Sequence, residues 1–254
     1  MRLPLFAIPR RAWINACSLA AALAAGGLLG CEPGPGQDGT AAPASTVPAT
    51  AGPTYVLMKT DRGDIALELD VAKAPVSVRN FREYLNAGFY DGTVFHRCSP
   101  GFVVQGGGYD TAFREKATRS PITNEWTNGV KNLRGTVSMA RGTAPDSATS
   151  QFFVNLADNA GLDGANGQAG SAVFGRVVRG MDVLDAVAAS PTGDKAATNL
   201  GGRTTVLRNV PMQAVTILSA KEASAAEAIG TGAPAPASKS PQFSIETIQP
   251  GTAK

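Results

Sequence analysis

Two-residue alternation, broken by turn chemistry, is the strongest constraint on what this chain can fold into. Tyr55 to Thr60 is a run of strand formers, and Asp61-Arg62-Gly63 supplies a turn. From Ile65 to Asp70 the chain alternates, with Ile65, Leu67 and Leu69 on one face. That combination predicts a β-hairpin. The same period returns at Val137 and Met139, at Phe152 and Val154, over Ala172–Val178 and over Gln213–Ser219. Helical spacing appears twice. Val78, Phe81 and Leu85 follow Pro75 and stop at Gly88, predicting a helix over 76–87, and Met181–Val187 reads as a second, short one. No strand–helix–strand rhythm is present, so the pattern points to an antiparallel barrel or sandwich. Phe152 and Phe153 are neighbours and face opposite ways. In a closed sheet one of them leaves the main core and needs a cover or a ligand.

The ends of the chain have a different composition. Residues 1–30 hold Arg2, Arg10 and Arg11 and no acid; Ala12 to Gly30 is uncharged and rich in Ala and Leu. A basic start, an apolar stretch and small residues before a cut site describe a secretory signal. Leu28-Leu29-Gly30-Cys31 resembles a bacterial lipobox, which implies cleavage before Cys31 and its lipidation. Glu32, rather than Asp, follows; by the sorting pattern of enteric bacteria this points to the outer membrane, with the protein facing the periplasm. The competing reading is an uncleaved anchor, weakened by Asn15, Gly26 and Gly27 in a run barely as long as the ~20 residues a span requires. Residues 31–53 are expected to be a flexible Pro/Gly/Ala/Thr linker, residues 54–221 the folded domain, and 222–254 a low-complexity tail.

Charge excludes one class of partner. Of the 23 Lys and Arg residues three lie in the first thirty, leaving 20 to balance 20 Asp and Glu. The rest of the chain is neutral, so nothing supplies the basic face that a nucleic-acid partner requires. One histidine, His96, and three cysteines, Cys17, Cys31 and Cys98, make a zinc site or a disulfide framework improbable. Gly106–Gly108 is followed by no Lys-Ser/Thr and opens no helix, so a tight turn is expected there rather than a phosphate site. Gly-x-Ser-x-Gly is absent. Thr192–Arg208, rich in Gly and Thr, reads as an elongated surface loop.

Three stretches carry a family resemblance. Tyr90–Gly108 (Tyr-Asp-Gly-Thr-Val-Phe-His-Arg … Gly-Phe-Val-Val-Gln-Gly-Gly-Gly) comes first. Gly135–Arg141 follows, with Ser147–Asn155 (Ser-Ala-Thr-Ser-Gln-Phe-Phe-Val-Asn), and then Ala172–Asp182. In this order they resemble the cyclophilins, a family of peptidyl-prolyl isomerases, and are most similar to the bacterial periplasmic subgroup. The resemblance implies a mainly β fold: a closed eight-stranded antiparallel β-barrel capped by two α-helices. It implies Arg97 as the catalytic donor. Phe102, Val103, Phe153 and Leu162 would floor and wall a proline pocket, and Gln105 would bond the substrate backbone. Ala140, Arg141 and Gln151 would line the groove for the residue before proline. The implied partners are proline-containing unfolded or extended polypeptides.

Such a site requires no nucleophile and no cofactor, since no bond is broken. Isomerisation moves no proton either, so His96 is expected to be structural. Cys98 is either packed or redox-active. The chain departs from the family pattern in several places. Cys98-Ser99 replaces two aliphatics after the His-Arg pair, and Arg141 stands where Asn is usual. Gly161 replaces Trp or Phe, and Ser171 replaces His or Tyr. The last two remove aromatic wall, predicting weaker proline binding and weak or no cyclosporin binding. They also leave a second function open, a non-catalytic peptide-binding or scaffold module on the same fold.

Overall fold

A computed structural model describes residues 54–230. The signal-like segment, Cys31 and its linker, and residues 231–254 lie outside the described residues.

The expected hairpin is β1 (Thr54–Thr60) with β2 (Gly63–Leu69). Next come α1 (Pro75–Asn86), β3 (Thr93–Ser99), β4 (Val103–Asp110), β5 (Thr136–Met139) and β6 (Phe152–Asn155). They are followed by β7 (Val173–Arg179), α2 (Met181–Ala188), β8 (Thr192–Thr198), β9 (Thr204–Pro211), β10 (Thr216–Ala223) and α3 (Ala225–Ile229). Eight strands close in the order β1-β10-β3-β4-β6-β5-β7-β2, and every pairing is antiparallel.

Closure removes free edges and turns alternate residues inward to fill the interior. Ile65, Leu67 and Leu69 all enter the core with Val56, Met58, Val104, Val137, Met139, Phe174 and Ile217. α1 adds Val78, Phe81 and Leu85; α2 adds Leu184 and Val187. The Phe81 ring stands edge-on to Phe152 at 5.6 Å and lies 5.0 Å from Tyr90. The first turn of α1 has no capping side chain of its own. Its orphan amides are met from 49 residues away by Glu125, whose carboxylate accepts from the Val76 and Ser77 amides at 2.9 and 2.8 Å.

Three expectations are corrected. Thr192–Arg208 is not a loop: most of it forms the β8–β9 hairpin, a two-stranded sheet outside the barrel. Its inward residues Ala197 and Val210 bury against Val94, Tyr109 and Phe113. Small residues mask the strand pattern, because Ala197 alone faces inward from β8 as a buried apolar group. The domain does not end at 221. β10 runs to Ala223, and Ser224 and Glu227 form a reciprocal capping box that starts α3, giving three α-helices among the described residues rather than two. Ala228 of α3 buries against Tyr55 and Ala66 on the outer side of the β1–β2 hairpin.

The third correction concerns Gly106–Gly108, which lie inside β4 and not in a turn. A Cβ at Gly106 would stand 2.8 Å from the Phe95 ring, and one at Gly108 2.6 Å from the Gln151 side chain. Gly107 has φ +79° and packs against Tyr90 and Phe152. The run lets a strand approach an aromatic core more closely than any side chain permits.

Candidate active site

A β-bulge sets up the site. Phe95 pairs with Gly106 and Arg97 pairs with Gln105, so His96 is an extra residue on β3 with no counterpart on β4. Simple alternation would point Arg97 to the same side as Phe95. The bulge reverses its direction: Phe95 and Cys98 enter the core while Arg97 stays half-buried on the outer face. Registers then carry one row across three strands, Arg97 opposite Gln105 and Gln105 opposite Phe153.

On that row opens a cleft of about 160 Å³. It is lined by Arg97, Phe102, Val103, Gln105, Ala140, Arg141, Phe153, Leu162 and Ser171. Eight of the nine residues proposed for catalysis and substrate binding thus share one wall. Gln151 stands behind it, its side-chain oxygen accepting from Gln105 Nε2 at 2.9 Å. Phe152 faces the core and is fully buried; Phe153 faces the cleft and is 5% exposed. The Arg97 guanidinium is held from two sides. Its Nη1 donates to Gln105 Oε1 at 3.5 Å, and its carbon lies 5.8 Å from the centroid of the Phe102 ring.

The neighbouring titratable groups are withdrawn from chemistry. Burial lowers the His96 pKa to about 4, with the Arg97 charge a lesser contribution in the same direction, so the imidazole is neutral at pH 7. Its ring packs against Tyr109 at 4.8 Å, and among the described residues Nδ1 has no hydrogen-bond partner. Burial raises the Cys98 pKa to about 11, leaving a protonated, packed thiol.

A buried amide network supports the rim, and sequence reading missed it. Asn132 is 1% exposed. Its Nδ2 lies within hydrogen-bond distance of the Leu162 and Ser171 carbonyls at 3.2 and 3.3 Å, and its Oδ1 accepts from Ser138 Oγ at 2.7 Å. Asn159 Nδ2 donates to the Phe102 carbonyl and to Asn155 Oδ1. Three wall positions, Phe102, Leu162 and Ser171, therefore hang on asparagines whose spacing in sequence carries no period. For the Asp163 carboxyl, burial acts upward, but hydrogen bonds from Asn132 and the Lys131 charge outweigh it and hold the pKa below the ordinary value.

The Pro_isomerase family model, described as cyclophilin type peptidyl-prolyl cis-trans isomerase/CLD, matches residues 55–222. The chain belongs to the cyclophilin family. This cyclophilin is 52% identical over 168 residues to peptidyl-prolyl cis-trans isomerase A of Dickeya dadantii, covering 66% of this chain and 84% of that protein. It is 50% identical to a peptidyl-prolyl cis-trans isomerase of Acinetobacter baylyi, over 65% of this chain and 84% of that one. Isomerase B of Escherichia coli is 48% identical, with 54% and 86% covered. A crystal structure of a Cryptosporidium parvum cyclophilin shares the fold, with TM-score 0.53 and 24% identity over 68% of this chain and 99% of that one. The same Cryptosporidium protein in the presence of the dipeptide Ala-Pro gives TM-score 0.52 and 25% identity, over 67% and 99%.

At Gly161 this cyclophilin leaves open space: a Cβ built there meets nothing within 4 Å. Ser171 reaches the cleft with a hydroxymethyl group.

Proposed function

We propose that this cyclophilin catalyses cis–trans isomerisation of X–Pro bonds in extended polypeptides and so assists protein folding. The observation that carries the reading is the Arg97 guanidinium, braced by Gln105 and Phe102 beside a cleft with Val103, Phe153 and Leu162 on its wall. Rotation about an X–Pro bond crosses a barrier of ~18–20 kcal/mol because the C–N bond is partly double. At the top of that barrier conjugation is lost and the nitrogen lone pair is localised. A guanidinium donating to that nitrogen stabilises the twisted state more than either planar one, and only such differential stabilisation accelerates. Arginine suits the task because it stays charged and its donors form a rigid fork. Phe102, Val103, Phe153 and Leu162 hold the proline ring. Gln105, positioned by Gln151, holds the peptide backbone. Ala140 and Arg141 take the residue before proline.

The test is exchange of an X–Pro peptide followed by NMR, with the intact domain against Arg97→Ala. Fast exchange that disappears in the variant supports the reading. Negligible exchange in both, with peptide binding retained, replaces it with the non-catalytic scaffold.

We also propose that the protein is a lipid-anchored envelope protein of the periplasmic subgroup, held through Cys31. The basic start, the apolar run and Leu28–Cys31 support this. Mass spectrometry of the mature N-terminus checks it; an intact Met1 or an unmodified Cys31 refutes it. Cyclosporin binding is expected to be weak, because Gly161 and Ser171 offer no ring to the drug.

A further inference from the structure

The cleft is lined by two guanidinium groups, Arg97 and Arg141, and by no carboxylate. Among the described residues neither arginine forms an ion pair, whereas Arg82, Arg114, Arg119, Arg134, Arg176 and Arg179 all do. Arg141 is nevertheless fixed in place. Its Nε donates to the Gly170 carbonyl at 2.9 Å, Nη1 to the Gly142 carbonyl at 3.0 Å, and Nη2 to the Ala169 carbonyl. Carbonyl oxygens orient a guanidinium without neutralising it, and three bonds leave two of its five N–H donors free. The nearby acids are engaged elsewhere. Asp146, on the same loop, accepts from the Asn124 amide. Asp163, beside Leu162, accepts from Asn132 and faces Lys131. The result is a rigid positive charge, in no ion pair among the described residues, on the wall assigned to the residue before proline.

We propose that Arg141 is a specificity-determining residue that makes the site select by charge, favouring substrates with an acidic side chain immediately before proline. This rests on the isomerase reading above. A Glu side chain in that groove meets a cation already held in position, so little ordering entropy opposes the contact. A Lys side chain in the same place meets repulsion.

The experiment compares kcat/KM for peptides differing only before proline, with Glu, Gln or Lys, at ionic strengths of about 0.01 M and about 1 M, where the Debye length falls from ~30 to ~3 Å. For the wild type we expect Glu-Pro to exceed Lys-Pro by about 10-fold at low salt and to approach parity at high salt. Arg141→Lys, which keeps the charge but not the three-carbonyl clamp, should retain most of the preference. Arg141→Gln, which loses the charge, should lose most of it. Equal rates for Glu-Pro and Lys-Pro in the wild type at low salt overturn the proposal, as does an unchanged ratio in Arg141→Gln. The salt dependence of the wild type tests whether the preference is electrostatic, and Arg141→Gln assigns it to Arg141 rather than to Arg97. Absence of turnover with every peptide, Gln-Pro included, defeats the isomerase reading itself and is thereby distinguished from failure of the charge preference alone.

Discussion

The outer surface of the barrel meets its apolar residues in two ways. Over β1 and β2, Tyr55 and Ala66 face outward and the chain covers them itself, with Ala228 of α3. Over β3, Val94 faces outward and the β8–β9 hairpin covers it. Over β4 and β6, Val103 and Phe153 also face outward and are buried, but they stand on the wall of a cleft with Arg97 at its edge. The sheet is the same in all three places. What distinguishes the third is a row of polar groups, Arg97, Gln105 and Gln151, bonded to one another beside the aromatic wall. The first two faces are closed by a helix or a hairpin; the third keeps its outward residues buried yet leaves a cleft beside them for access. Separate substitutions on the two kinds of face should therefore separate folding from turnover.

The largest expected effect comes from the open face. Arg97→Ala should lower kcat/KM by roughly 10²–10³-fold, the scale for removing one preorganised donor from a developing charge. Its thermal midpoint should stay close to wild type, because Arg97 is in no ion pair among the described residues. A large stability loss with residual activity would erase the contrast between faces.

His96, the bulge residue beneath that face, gives the next effect. Its folded pKa of about 4 lies below the ordinary value, so the folded protein resists protonation that the unfolded chain accepts. Stability is full above about pH 6.5 and declines as pH falls towards 4, by at most about 3 kcal/mol. Since His96 is the sole histidine, urea titrations at pH 5 and pH 7 read it directly. His96→Gln should flatten the difference, and an equally steep slope in that variant would reassign it to carboxylates. Turnover should stay nearly constant from pH 6 to 8, as no group at the cleft needs to titrate.

Truncation after Ala223 probes a covered face. It removes α3 and uncovers Tyr55 and Ala66, and should cost about 1–3 kcal/mol of stability while leaving kcat/KM unchanged. Loss of activity in a folded truncation would show that the two faces communicate.

The smallest effect should be a gain. Gly161→Phe adds a ring at a position where a Cβ meets nothing within 4 Å. Tighter binding of a proline peptide by several-fold, and of cyclosporin, is expected, because a buried ring contributes at most ~1.5–3 kcal/mol. Calorimetry on the variant measures it; unchanged affinity for both ligands would mean that position 161 lies off the binding surface.

Much of this was legible in the sequence wherever one local rule governed. Ile65, Leu67 and Leu69 alternate and enter the core together. Pro75 and Gly88 bracket α1 to within a residue. Phe152 and Phe153, as neighbours, part to opposite sides. The β8–β9 hairpin was not legible, because its partners Val94, Tyr109 and Phe113 lie far away in the chain and its own strands are built of small residues. α3 escaped notice because five residues with a capping box look like the start of a loose Ala-rich tail until Tyr55 and Ala66 are seen beneath them.

The sequence by itself determined the strand periods, the aromatic stock of the core and the order of the motif residues, because each depends on residues close together in the chain. Only the tertiary structure decided which way Arg97 points. That direction depends on a register between β3 and β4, with His96 left unpaired and Gly106 yielding to the Phe95 ring. Likewise only folding brings Asn132 under Leu162 and Ser171, and Arg141 against Ala169 and Gly170. Hydrogen bonds of that kind span some thirty residues, and no local pattern encodes the distance across which a closed barrel joins them.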